Sequence, residues 1–115
     1  MKKGCQLDYR MNNKINKLND ILIALEKIID EKKQNDNDSY TAKLLKEDIT
    51  KVVQKVGEEA TEVVIEAVLK NKDKTIYESA DLLFHLLVMW NKLGIRLEDI
   101  AEELEKRRKN KNDLR

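Results

Sequence analysis

The chain has 115 residues, 41% hydrophobic and 39% charged, and its 23 basic and 22 acidic residues leave a net charge of +1. That length fits one domain with a modest core, of the size that often gains stability by oligomerising, and the balanced charge excludes a general drive toward nucleic acid or an anionic membrane. The single cysteine, Cys5, excludes an intramolecular disulfide and a multi-cysteine zinc site within one chain. Proline is absent and glycine is confined to Gly4, Gly57 and Gly94, so long helices meet few backbone obstacles. No apolar segment follows Lys2 and Lys3, so no signal peptide is expected. The longest strongly apolar stretch, Leu82–Trp90, is interrupted by His85 and is too short to span a bilayer. A cytoplasmic, non-membrane protein is the expectation, and one cysteine is compatible with a reducing compartment.

Residues 1–10 lack clear periodicity and are expected to form a loose arm. From Met11 to about Lys33, Ile15, Leu18, Leu22, Ile23, Leu25, Ile28 and Ile29 recur at spacings of three and four and mark one helix face. The run from Gln34 to Ser39 reads as a polar loop, with Asp38 or Ser39 a candidate cap for a short helix. A longer helix is predicted from about Asp48 to Lys70. A turn at Asn71-Lys72-Asp73 follows, with Asp73 as candidate N-cap, and then a helix from about Lys74 to Leu93 that stops at Gly94. A last helix covers about Leu97–Lys109, its basic end Lys106–Lys109 complementing the helix dipole, and residues 110–115 are expected to fray. No stretch reads as a strand and no internal repeat or linker is visible. The expected fold is all-α, a single-domain bundle of four to five helices.

Chemistry concentrates in two acidic motifs. Glu58-Glu59-Ala60-Thr61-Glu62 lies on the third helix and Glu78-Ser79-Ala80-Asp81 on the fourth. With Glu58 at zero on a helical wheel, Glu62 falls at about 40° and Glu59 at about 100°. The core stripe of Val52, Val56, Ala60, Val63 and Ala67 runs beside them at about 120–200°. On the fourth helix, Leu82, Leu83, Phe84, Leu86, Leu87, Val88, Met89 and Trp90 leave Glu78, Asp81 and His85 as one polar stripe on an otherwise apolar cylinder, which predicts burial. A short turn favours antiparallel packing of the two helices, which brings the acid clusters face to face. Two carboxylates about 6 Å apart repel by roughly 3 kcal/mol at an effective dielectric of about 20. Such a cluster calls for a cation, and oxygen ligation favours Mg²⁺ or Mn²⁺ over zinc. Taken singly, Glu-x-x-Glu on a helix usually marks a solvated, salt-bridged face; the second cluster across a short turn favours the metal site.

The pattern Glu58-Glu59-x-x-Glu62, fifteen residues, then Glu78-x-x-Asp81 resembles the signature of the α-helical, MazG-type nucleotide pyrophosphohydrolases. Three stretches resemble one member family, the phosphoribosyl-ATP pyrophosphohydrolases: Ser39-Tyr40-Thr41-Ala42-Lys43-Leu44, Gln54–Ala60, and Glu78–Leu87. The resemblance covers about residues 18–93. It implies hydrolysis of phosphoribosyl-ATP to phosphoribosyl-AMP and pyrophosphate, the second step of histidine biosynthesis, in a homodimer or larger homo-oligomer with helices packed across the interface. No length remains for the cyclohydrolase domain to which this unit is fused in many organisms, so a stand-alone form is expected.

By motif position the resemblance implies Glu59, Glu62, Glu78 and Asp81 as metal ligands, with Glu58 a further ligand or a base that orients water. Lys43 and Lys55, with motif support, and Lys51, by geometry alone, are candidate phosphate contacts. Ser39, Tyr40 and Thr41 either meet ribose or phosphate groups or form a helix cap with a packed tyrosine. His85 either orients Asp81 or is a hydrogen-bonded core residue. Met89 and Trp90 are core or interface residues, and Gly57 permits a close helix approach or leaves room beside the acids. Two other readings compete. A house-cleaning pyrophosphohydrolase acting on dCTP or dUTP uses the same carboxylates, although the Ser39–Leu44 segment and His85 argue against it. A non-catalytic helical dimerisation module is compatible with the periodicity alone.

Overall fold

The computed structural model describes residues 2–35 and 38–110, with side chains from residue 17 onward; Asp36, Asn37 and the tail residues 111–115, expected to lie in the loop and the frayed end, fall outside the described residues. The described chain is all-helical: α1 (Lys2–Gln34), α2 (Tyr40–Lys46), α3 (Ile49–Val68), α4 (Lys72–Lys92) and α5 (Leu97–Lys109). None of these helices is long and apolar enough to cross a membrane.

Helix α1 begins at Lys2, not near Met11, so the segment expected to be an arm has helical backbone. Without proline no backbone obstacle stops this helix from running on toward the N-terminus. At 33 residues it is about 50 Å long, well beyond the helices it packs against. Accordingly Ile29 is fully buried while Leu18, Ile23 and Ile28 of the predicted face stay exposed.

The caps are explicit. Ser39 caps α2 by accepting from the Ala42 amide (3.1 Å), and Asp48 caps α3 through the Thr50 amide (3.1 Å). Helix α4 is capped by Asn71, which accepts from the Lys74 amide (3.1 Å), and not by Asp73, which sits in its first turn. Both residue types make good caps; the difference arises because α3 closes with a Schellman turn that delivers Asn71 to the cap position. The Lys70 amide bonds to Ala67 O and the Asn71 amide to Glu66 O, with Lys70 itself at φ 57°. Helix α4 ends the same way, with Gly94 at φ 73° and the Ile95 amide on Trp90 O (2.8 Å). Glycine meets that conformation without the roughly 1–2 kcal/mol penalty of an L-residue.

Helices α3 and α4 form an antiparallel hairpin, the most extensive helix pair, and α1 and α2 pack against the C-terminal part of α4. The core is Ile29 of α1, Leu44 and Leu45 of α2, Val52 of α3, and Leu87 and Val88 of α4. Helix α4 is not buried all round: Leu82, Leu83, Phe84, Leu86, Met89 and Trp90 are half-buried, as are Glu78 and Asp81. The predicted all-round burial fails because the chain covers only part of the α4 circumference. On α3, Val56, Ala60 and Val63 are half-buried and Ala67 is exposed. A Cβ added at Gly57 meets nothing within 4 Å, so among the described residues no close helix approach requires that glycine.

A polar network ties the α4–α5 turn to α1. The Arg96 guanidinium donates to both Asp30 oxygens (2.9 Å each) and pairs with Glu26 (3.0 Å); Asn91 Nδ2 donates to Asp30 Oδ1 (2.7 Å) and the Leu97 amide to Glu26 Oε2 (2.8 Å). The Arg96 hydrogen bonds are the main reason that Asp30 lies below the usual carboxylate range. A lowered folded pKa contributes stability that is present above the unfolded carboxylate value, about 3.9, and is lost as pH falls through the lowered one. Asp30→Asn is therefore expected to cost about 1 kcal/mol near neutral pH, given the partial exposure of the pair. It is also expected to flatten the fall of melting temperature below about pH 4. Thermal melts of both proteins across that window check it; parallel curves would contradict it.

Candidate active site

The α3–α4 hairpin places Glu59 and Asp81 eleven residues on either side of Lys70, so antiparallel packing brings them to one level. Glu59 lies beside the core stripe, as its wheel position predicts, and is 8% exposed. His85, one turn beyond Asp81 on α4, is 3% exposed. One potential ligand atom from each of Glu59, Asp81 and His85 lies within 4.8 Å of the others.

Glu59 is held above the ordinary glutamate range, first by its hydrogen bond with the Asp81 carboxyl and then by its burial. Two carboxyls in such contact need a proton between them or a cation beside them. The donor set thus fits a hard divalent ion. His85 is not available as a ligand: Nδ1 is 2.7 Å from the Asp81 backbone oxygen and 3.5 Å from Asp81 Oδ1, and Nε2 is 2.8 Å from the Tyr40 hydroxyl. Both ring nitrogens are engaged, so His85 is a hydrogen-bonded core residue, and it also lies against Asp81.

The other predicted residues spread outward from this pair. Glu58 and Glu62 are exposed and Glu78 is half-buried; Glu62 and Glu78 lie outside the close group. The acid stripe is therefore less buried than its sequence setting suggests, for the same reason that α4 is. Lys55 bridges Glu58 (3.7 Å) and Glu59 (3.6 Å), and Gln54 Nε2 donates to Glu58 Oε1 (3.2 Å). Beside them a groove of about 230 Å³ is lined by Tyr40, Leu44, Glu47, Lys51, Gln54, Lys55 and Glu58. Lys51 and Lys55 thus share a groove with Tyr40. Ser39, Thr41 and Lys43 do not line it, and the Ser39 side chain is the α2 cap. Gln54 and Glu47 were given no role by the sequence. Gln54 follows Lys51 by three positions and precedes Glu58 by four, a spacing that puts it on their face; Glu47 sits between helices, where no periodicity applies.

The model of the phosphoribosyl-ATP pyrophosphohydrolase family matches residues 22–108. The chain belongs to that family. The match runs through α5, beyond residue 93 where the motif resemblance ends. A phosphoribosyl-ATP pyrophosphatase of Hydrogenovibrio crunogenus is 44% identical over 94 residues, covering 77% of this chain and 83% of that protein. The histidine biosynthesis bifunctional protein HisIE of Bacteroides thetaiotaomicron is 45% identical over 87 residues, covering 75% of this chain. The match spans 43% of the length of that bifunctional relative.

Proposed function

We propose that this chain hydrolyses phosphoribosyl-ATP to phosphoribosyl-AMP and pyrophosphate, the second step of histidine biosynthesis, as a cytoplasmic enzyme. Family membership and 44% identity to a phosphoribosyl-ATP pyrophosphatase support the reaction. The observation that carries the chemistry is the buried Glu59 against the half-buried Asp81, beside a groove lined by two lysines.

Glu59 and Asp81, joined by Glu62 and Glu78, would hold a divalent cation, Mg²⁺ or Mn²⁺. When bound, that ion neutralises phosphate oxygens and acidifies the attacking water. Glu58, exposed at the rim and restrained by Gln54 and Lys55, serves as a further ligand or orients the water. Lys55 and Lys51 supply positive charge to the phosphates from the groove wall, and Ser39, Tyr40, Thr41 and Lys43 form the adjoining recognition segment. The active form is a homodimer in which a second copy covers the apolar flanks that α3 and α4 leave exposed.

The assignment is tested by Glu62→Gln and Asp81→Asn. Each is expected to lower phosphoribosyl-ATP turnover about a hundredfold and to weaken the rise in melting temperature produced by Mg²⁺. Full activity and an unchanged Mg²⁺ response in both variants would remove these residues from the site.

A further inference from the structure

Helix α2 is fastened to α4 at two points. Near its N-terminus the Tyr40 hydroxyl meets His85 Nε2 at 2.8 Å; near its C-terminus Lys92 Nζ donates to Leu45 O at 2.7 Å. His85 and Lys92 are seven residues apart, two turns along one face of α4, so α2 lies along that face. Asp81 is one turn further toward the α4 N-terminus on the same stripe.

The direction of the first bond follows from the other side of the ring. Asp81 O is an acceptor only, so the His85 Nδ1 that meets it at 2.7 Å carries the proton. In the neutral ring Nε2 is then an acceptor, and the Tyr40 hydroxyl donates to it. The single phenolic proton is committed inward, so this hydroxyl has none to give a phosphate oxygen. Tyr40, 52% exposed as a residue, still forms one wall of the groove whose other side carries Lys51 and Lys55.

We infer that Tyr40 is a positioning residue: its hydrogen bond to the buried His85 sets the Tyr40 wall of the groove against the lysine wall and against Asp81, and thereby sets affinity for the phosphate-bearing substrate. The ring nitrogens of His85 divide the work, Nδ1 registering the imidazole on the α4 backbone and Nε2 receiving α2. This role rests on the proposed function, since it concerns the same groove.

Three variants separate the parts. Tyr40→Phe removes the hydroxyl and keeps the ring. His85→Asn retains a donor where Nδ1 sits but loses the acceptor facing Tyr40, whereas His85→Gln retains an acceptor where Nε2 sits. Tyr40→Phe and His85→Asn are each expected to raise KM for phosphoribosyl-ATP about tenfold with kcat within about twofold of the parent. His85→Gln is expected to restore KM to near the parent value. The double variant Tyr40→Phe/His85→Asn is expected to be no worse than either single one, because both remove one bond. Nitrogen-15 NMR of the imidazole reports the bond without reference to activity and is expected to show the proton on Nδ1. An unchanged KM in Tyr40→Phe, additive losses in the double variant, or a proton on Nε2 would overturn the inference. A parent chain that carries the Nδ1 proton but does not turn over phosphoribosyl-ATP would overturn the functional reading and the role with it, leaving only the hydrogen bond.

Discussion

Glu59→Gln is expected to stabilise the cation-free chain while lowering kcat by about a hundredfold to a thousandfold. The two effects have one origin. Glu59 is buried against Asp81, and its pKa is raised by that hydrogen bond and by burial. For a carboxyl with a raised folded pKa, the contribution to stability is fully present below the unfolded value, about 4.3, and is lost as pH rises through the folded value. Near neutrality the parent chain must therefore either take up a proton or hold two charges side by side. Glutamine keeps a hydrogen-bond donor toward Asp81 and removes the charge, so the variant escapes that penalty. Its advantage in melting temperature, measured in EDTA, should grow as pH rises above about 4.3 and then level off. With Mg²⁺ the order should reverse, because the parent gains from cation binding and the variant has lost a ligand. A variant that melts lower than the parent in EDTA and retains turnover would contradict both halves of the argument. Stability withheld at a functional site is a familiar trade, and here it falls on a single residue pair.

Val64→Lys with Val68→Lys is expected to convert the proposed dimer into a monomer. In the single chain Val64 is 60% and Val68 74% exposed, and Leu69, Ile76 and Tyr77 are exposed at the same end of the α3–α4 hairpin. That end lies away from α1 and α2, so nothing within the described chain covers it. Contiguous apolar surface of this kind marks an association site, and two such hairpins packed together make a four-helix bundle. A lysine buried without a partner in that interface costs several kcal/mol, and each 1.4 kcal/mol is about tenfold in the dissociation constant. Light scattering on the parent should give twice the chain mass of 13.5 kDa, and the variant should give the chain mass at micromolar concentration. A parent that is already monomeric, or a variant that stays dimeric, would place the partner surface elsewhere or nowhere.

On the helical wheel Glu59, at about 100°, is the α3 acid nearest the core stripe. Glu59, next to the core stripe, is buried, whereas Glu58 and Glu62, further round, are exposed. Helix ends were also partly legible: Gly94 closes α4 as its single strong signal, and Ser39, one of two candidate caps, caps α2. Where two good caps stood close together, at Asn71 and Asp73, only the geometry of the preceding Schellman turn decided between them. The start of α1 was missed because apolar periodicity was the only helix signal read there, and helical backbone can run on without it. The all-round burial of α4 was misjudged because an apolar face says that something covers it, not that the same chain does. Long-range bonds left no sequence trace at all. The Tyr40–His85 contact joins residues 45 apart and Arg96–Asp30 residues 66 apart; His85 stands out in its apolar stretch, but nothing in the sequence pairs it with Tyr40. The carboxylate pair was accessible because a fifteen-residue spacer across a short turn is a geometric statement about two helices, whereas the groove depends on where α2 is laid.

The most direct test of the central claim is product analysis of the purified chain with phosphoribosyl-ATP and, separately, with dCTP, dUTP and the common nucleoside triphosphates, each with Mg²⁺ or with EDTA. The account predicts Mg²⁺-dependent release of pyrophosphate and phosphoribosyl-AMP, with far slower turnover of the ordinary triphosphates. Preferential cleavage of an ordinary triphosphate, or turnover of phosphoribosyl-ATP that persists in EDTA, would contradict it.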